Sequence, residues 1–349
     1  MKFFHLSDLH IGKQLHRYNL KEDQQVILKE IVTYAEELRP DAIVIAGDIY
    51  DKSVPSAEAV TIFDAFLTDL SEITPAIPIL IISGNHDSPD RLQYASEILK
   101  RHHIYLAGNV PEKPEEHIEK VTLQDAYGEV DFYLLPFMKP GYVRNVFVDN
   151  APETYADAVR EIIKREKIDY NNKRNVLISH QFYIGEKAES PETCDSEVFS
   201  VGGIDNVDTG AVKEFDYVAL GHLHGPQKIG KETVRYSGTP FKYSFSETNH
   251  KKAAVIVDME EKGTVNIQQI PLVPKHDMRE IRGTYMEVTA LDFYKDMKTD
   301  DYLHITLTDE EDIPDAIGKL RCIYPNIMKL SYDNLRTRAA VTVRGTAEV

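Results

Sequence analysis

The sequence predicts an α/β fold followed by a smaller α+β unit. Three observations carry this expectation. Apolar runs of only four to six residues alternate with stretches of helical periodicity along most of the chain. Short continuous runs of this kind suit strands buried on both faces, as in sheets covered by helices. The pattern changes after Pro271-Leu272-Val273-Pro274, which reads as a linker. The length, 349 residues, also gives a prior of about two domains at about 150 residues each.

The elements follow in order. Residues 3–6 read as a buried strand, 25–38 as a helix, 42–46 as a strand, 58–70 as a helix and 79–82 as a strand, the βαβ alternation of an α/β domain. In the second helix Ile62, Phe63, Phe66, Leu67 and Leu70 share one apolar face. Core packing accounts for that face, and a dimer contact is the sharper alternative. Residues 130–135, 176–179, 217–220 and 253–257 read as further strands, and 155–166 as a helix. Residues 186–203 are polar, carry Pro191 and Gly202-Gly203, and read as a long loop, either functional or disordered. The expected division is a first domain over 1–275, a linker over 276–283 and an α+β domain over 284–349. Within the last, 285–288, 302–307 and 327–332 read as strands and 314–323 as a helix, while 336–349 have no clear pattern.

Lys plus Arg number 40 against 57 Asp plus Glu, a net charge of −17. A chain this acidic does not coat nucleic acid through a basic surface, and handling a polyanion requires something else, such as bound metal ions. Cys194 and Cys322 are isolated, which excludes a Cys-based zinc site and argues against a disulfide framework. The N-terminus runs straight into a strand with no secretory signal pattern, and no apolar run approaches a bilayer span. A cytoplasmic setting is expected.

Histidines and aspartates gather where strands end. Asp8-Leu9-His10 follows the first strand, Gly47-Asp48-Ile49-Tyr50-Asp51 the second and Gly84-Asn85-His86-Asp87 the third. His180 ends the 176–179 run, and Gly221-His222-Leu223-His224 follows 217–220. Ligands in α/β sheets bind beyond the carboxyl ends of strands, so separate segments deliver metal-binding groups to one edge. Asp8 and His10, like His222 and His224, are two apart and share a side of an extended backbone. Glycines at 47, 84 and 221 allow sharp turns and close approach. Carboxylate, imidazole and amide oxygens without thiolate suit Mn(II), Fe(II) or Zn(II). Two such ions about 3.5–4 Å apart would activate a water and neutralise a scissile phosphate.

These blocks (DxH, GDxxD, GNHD, a lone His and GHxH, in order from residue 8 to residue 224) resemble the calcineurin-like metallophosphoesterase superfamily. A finer resemblance is to the SbcD family of bacterial nuclease subunits. It is carried by the segments 5–12, 46–51, Val201-Gly202-Gly203, 220–227, 235–240 and Ser244-Phe245-Ser246-Glu247. It covers residues 1–275 and, more loosely, the small domain.

The resemblance implies a two-sheet sandwich flanked by helices in four layers, α/β/β/α, with metals at one edge and an α+β cap that steers DNA. It implies one ion on Asp8, His10 and His224, another on Asn85, His180 and His222, and Asp48 bridging them. His86 would face the substrate and protonate the leaving oxygen, with Asp87 orienting the His86 ring. Asp51 receives no role, since relatives differ there. Lys13, His16 and Arg17 are candidate contacts to DNA phosphates, with a solvated surface as the alternative. Two divalent ions are implied, Mn2+ first, with Mg2+, Fe2+ and Zn2+ as alternatives. The implied activity is 3′→5′ exonuclease action on duplex ends and endonuclease cutting of hairpins and blocked ends in DNA repair and recombination. The implied partners are the SbcC ATPase, double-stranded DNA ends and hairpins, and a second copy in a homodimer, in a nucleoid-associated cytoplasmic setting without membrane contact. Relatives continue past the cap into a helix that docks on SbcC, and no amphipathic helix is evident before Val349, which lowers the expectation of stable SbcC binding. The same blocks fit a small-molecule phosphatase or cyclic-nucleotide phosphodiesterase, which the 220–227 run and the extra domain disfavour. A non-catalytic scaffold is disfavoured because no block residue is missing.

Overall fold

Each apolar run of the first half sends alternate residues to opposite cores. In β1 (Lys2–Leu6) Phe3 packs between two sheets, while Phe4 and Leu6 pack beneath helices. The computed structural model describes residues 1–147, 150–185, 191–197 and 205–338. After β1 come α1 (Lys21–Leu38), β2 (Ala42–Ala46), α2 (Ala57–Ser71), β3 (Ile79–Ile82) and β4 (Ile104–Ala107). Then follow β5 (Glu119–Asp125), β6 (Gly128–Leu135), α3 (Tyr155–Arg165), β7 (Arg174–Ser179) and β8 (Tyr217–Leu220). The large unit closes with β9 (Gln227–Ile229), β10 (Lys231–Tyr236), β11 (Ala253–Met259) and β12 (Val265–Pro271).

Two six-stranded sheets result, ordered β12-β11-β1-β2-β3-β4 and β9-β10-β8-β7-β6-β5. β1 to β4 are mutually parallel, as are β6, β7, β8 and β10. Phe3, Val44, Ile82, Phe132, Ile178 and Val255 fill the space between the sheets. On the first sheet's outer face Phe4, Ile43 and Ile81 meet Ile27 and Ile31 of α1 and Ile62, Phe63 and Phe66 of α2. On the second sheet's outer face Leu177 and Val218 meet Val159 and Ile162 of α3. The layers are therefore α/β/β/α, as expected. The long polar loop expected over 186–203 lies mostly outside the described residues, as do Val201-Gly202-Gly203 and positions 339–349.

The small unit is a three-stranded parallel sheet, β13 (Met278–Gly283), β14 (Tyr302–Leu307) and β15 (Ile327–Tyr332), with helices α4 (Tyr285–Val288) and α5 (Ala316–Arg321). Two expectations are corrected here. Residues 276–283 are not a linker, because 278–283 pair along the whole of β14 and bury Met278 and Ile281. Residues 285–288 form a helical turn rather than a strand. Thr284 Oγ1 accepts from the Glu287 amide at 3.3 Å and the Glu287 carboxylate accepts from the Thr284 amide at 2.7 Å, a capping box. Fully buried Asp23 of α1 joins the two units, accepting from the His276 amide at 2.7 Å and the Tyr302 hydroxyl at 2.8 Å. No helix among the described residues is long and apolar enough to cross a membrane.

Candidate metal centre

Because β1, β2 and β3 are parallel, as are β7 and β8, their carboxyl ends lie along one edge of each sheet, and the two edges meet. His180, just past β7, donates from Nδ1 to the Ala46 carbonyl at the end of β2, 2.7 Å away. The predicted residues converge there. Asp8, His10 and His224 bring ligand atoms within 4.8 Å of one another, as do Asp8, Asp48 and His180. Asn85 Oδ1 lies 3.1 Å from His180 Nε2 and 2.9 Å from His222 Nδ1. His10, Asp48 and His86 form a third group within the same distance.

The groups facing one another are mostly acceptors. With Nδ1–H of His180 spent on Ala46, its Nε2 faces Asp48 Oδ2 at 3.3 Å and Asn85 Oδ1 at 3.1 Å. That position calls for positive charge, either a proton or a metal ion. His224 Nδ1 lies 2.7 Å from Ser196 Oγ, whose own proton goes to Glu247 Oε1 at 2.6 Å. Nδ1 of His224 is therefore the donor, and its Nε2 is left as a lone pair. It faces His10 Nε2 at 3.1 Å, and the other ring nitrogen of His10 is buried without a hydrogen-bond partner among the described residues. A cation between the rings would satisfy both Nε2 atoms. The donor set, imidazoles with carboxylates and one amide oxygen, fits divalent transition ions.

The backbone is forced to present these groups. Asp8, His10, Asp48 and His222 all have φ in the left-handed region, at 53°, 43°, 49° and 108°. Such residues cost about 1–3 kcal/mol each and persist only where neighbours fix them. Here the Asp8 amide is held by the Gly47 carbonyl and the His10 amide by the Asp48 carbonyl, each at 3.0 Å. Gly84 and Gly221 permit the close approach. A Cβ on Gly84 would stand 2.1 Å from Asp48 Oδ1, and one on Gly221 would stand 1.9 Å from the Ala46 carbonyl oxygen.

Burial dominates the electrostatics. It drives His10 well below the ordinary imidazole value and His222 down to about 3. Burial also raises Asp8. For His180 burial would lower the value, but the Asp48 and Asp8 carboxylates prevail and push it up to about 9. Asp48 moves the opposite way, held low by His180 and His10 against its own burial.

One predicted role is corrected. Asp87 does not orient the His86 ring. Its carboxylate accepts from the amides of Ile49, Tyr50 and Gly84 at 3.1, 3.0 and 2.9 Å, stapling the second and third loops together. His86 Nδ1 sits instead 2.9 Å from the Asp51 carbonyl, and the His86 amide donates to Asp48 Oδ1 at 2.8 Å. Asp51 pairs through its carboxylate with Lys13 at 2.8 Å. His16 and Arg17 form the exposed turn of a small hairpin, with the His16 ring 5.9 Å from that of Phe245. Lys13 is thus engaged within the loops, whereas Arg17 is exposed.

Sequence reasoning missed the support around the ligands. Glu247, fully buried and ion-paired with Lys252 at 2.6 Å, anchors Ser196 and through it His224. Gln24 of α1 donates to the His10 carbonyl at 2.8 Å and accepts from the Gly12 amide at 3.0 Å, fixing the first loop. Glu247 stands within the Ser244–Glu247 segment that carried part of the resemblance, so its position was visible though its task was not.

The family model for calcineurin-like phosphoesterases matches residues 1–226. A second model, described as the type 5 capsule protein repressor C-terminal domain, matches 274–348. The chain is 38% identical to the SbcD subunit of the SbcCD nuclease of Staphylococcus epidermidis over 95% of this chain and 85% of that protein. It is 34% identical to the same-named protein of Staphylococcus saprophyticus over 95% and 84% of the two chains. Among solved structures, a dimetal phosphatase from Danio rerio superposes with a TM-score of 0.44 at 12% identity, covering 78% of this chain and 97% of that one. The chain belongs to the calcineurin-like phosphoesterase family. Within that family it groups with the SbcD-type nucleases, and it is an enzyme that hydrolyses phosphodiesters.

Proposed function

We propose that the chain is the nuclease subunit of a complex with an SbcC-type ATPase. It cuts DNA from 3′ ends and opens hairpins and blocked ends during repair and recombination. Asp8, His10 and His224 would hold one divalent ion and Asn85, His180 and His222 a second, with Asp48 serving both; Mn2+ is the first choice. When bound, such a pair lowers the pKa of a water and neutralises charge on the scissile phosphate. The chain's own residues do the rest. Ser196 and Ala46 fix the tautomers of His224 and His180, so that each presents Nε2 inward. His86, held at Nδ1 by the Asp51 carbonyl, keeps Nε2 for the leaving oxygen. Arg17 supplies a cation for DNA phosphates beside the site, and a second copy joins a homodimer through helices of the nuclease domain, although the Ile62, Phe63, Phe66 and Leu70 face is spent on the core. The setting is cytoplasmic.

The observation that carries this reading is the convergence of acceptors from the two sheet edges on positions that require positive charge. The test is cleavage of a labelled hairpin duplex with Mn2+ or Mg2+, with and without SbcC and ATP. Mn2+-dependent opening of the hairpin that is lost in Asp48→Ala, together with the binding of both ions, supports it. Turnover of a small phosphomonoester with no action on any DNA would return the chain to the small-molecule phosphatases.

A further inference from the structure

A cavity of about 260 Å³ opens beside the metal centre, and the mechanism above makes no use of it. Asn85 and His222, both in the convergent ligand set, form part of its wall. Aromatic rings supply much of the rest. Phe137 and Tyr155 lie with centroids 6.4 Å apart and planes inclined by 48°, and Tyr142, 48% exposed, stands with them in the lining. Gln181 also lines the cavity and is 1% exposed. Its Nε2 donates to the Met138 carbonyl at 3.2 Å, which fixes the amide, and its Oε1 is buried without a hydrogen-bond partner among the described residues. A buried acceptor left unpaired is costly unless a ligand supplies a donor.

We infer that this cavity takes one unstacked nucleobase of the strand being cut, the base adjoining the phosphate at the metal centre. The inference rests on the nuclease reading of that centre. Flat aromatic faces bind any base through its π-face. The orphan Gln181 oxygen adds a demand for an N–H. Every natural base carries such a donor on its Watson–Crick edge: the amine of adenine or cytosine, N1–H and the amine of guanine, N3–H of thymine. That edge is occupied while the base is paired. The cavity therefore binds a base only after its pair has opened, and it tolerates all four. A frayed end or a hairpin loop meets this condition at least cost.

The probe is 2-aminopurine deoxyribonucleoside 5′-monophosphate, whose fluorescence falls on stacking; the chain has no Trp to compete with the signal. Titration with and without Mn2+ reads binding independently of cleavage. Deoxyribose 5-phosphate, which lacks the base, should compete at least about tenfold more weakly than a natural deoxynucleoside monophosphate. Tyr155→Ala should weaken the probe by about 5- to 100-fold, the range of base–aromatic stacking, and abolish the quench. Tyr142→Ala at the exposed rim gives a smaller loss in the same direction and serves if Tyr155→Ala does not fold. Equal competition by the base-free sugar phosphate, or unchanged quenching in the variants that fold, overturns the inference. If the wild type still cuts DNA in that case, only the base pocket has failed. If it cuts no DNA under any condition, the nuclease reading has failed first.

Discussion

His5 provides a test of the packing behind the metal centre. It lies on β1 between the two sheets, fully buried, with Nδ1 2.9 Å from the Tyr217 hydroxyl and Nε2 3.1 Å from the Leu220 carbonyl. The neutral ring satisfies both contacts by donating from Nε2 and accepting at Nδ1. A second proton would force the Tyr217 hydroxyl to turn from donor to acceptor and would place a charge in a fully buried position. Burial above all, aided by nearby Arg235, lowers this imidazole from 6.5 to about 3. Below pH 6.5 the unfolded chain takes up a proton that the folded chain refuses. His5 therefore favours the native state fully only above that pH, and its contribution falls as the medium is acidified toward pH 3. The linkage relation puts the loss between pH 7 and pH 5 at about 2 kcal/mol. Urea denaturation of the wild type and His5→Asn, both in excess chelator, checks this. Chelation leaves the other imidazoles equally free in both proteins, so they cancel in the comparison. His5→Asn should be the less stable protein at pH 7 but should lose about 2 kcal/mol less than the wild type on going to pH 5. Parallel pH dependence in the two proteins would refute a buried neutral imidazole at this position.

The remaining predictions concern the site. His86→Ala should lower DNA cutting by about 10²- to 10⁴-fold, the usual share of a general acid, while calorimetric titration still counts two ions. Loss of an ion would instead make His86 a ligand, which its proximity to His10 and Asp48 allows. Ser196→Ala and Glu247→Gln should each weaken metal binding by about 10- to 100-fold, because they free the tautomer of His224. Unchanged titration curves in both variants would deny them that task.

Much of the fold was legible because most central strands of the sheets are buried on both faces and write themselves as unbroken apolar runs, as in Ile79–Ile82. Edge strands were not. β12 alternates Val265-Asn266-Ile267-Gln268 with one side toward solvent, and β5 does likewise with Lys120 and Thr122. β13 hid for a related reason, since Arg279, Glu280 and Arg282 outnumber its buried Met278 and Ile281. At the site the residues that converge were legible because each block combines rare residue types at a strand end. Their supports were not. Ser196, Gln24, Glu247 and Lys252 are common residues from distant segments, and only the folded chain reveals that they meet the ligands. Asp87 shows the converse limit. Spacing placed it beside His86, but a carboxylate goes where donors are concentrated, and three free amides lay closer to hand.

The charge balance of the centre has a consequence for how it fills. A chain of net charge −17 places the carboxylates of Asp8 and Asp48 in a buried site beside imidazoles that burial keeps neutral. Uncompensated, that arrangement would be strongly unfavourable. The Asp48 and Asp8 carboxylates, which push His180 up to about 9, favour positive charge at Nε2 between Asp48 and Asn85, where His180 is proposed to hold an ion. A proton and a divalent ion would compete for that one lone pair, because an imidazole binds metal only where its nitrogen is deprotonated. The left-handed residues Asp8 and His10 are pinned by backbone bonds to the Gly47 and Asp48 carbonyls, independently of the side chains. The centre is thus preorganised by backbone and glycine contacts around a position, His180 Nε2, that calls for positive charge.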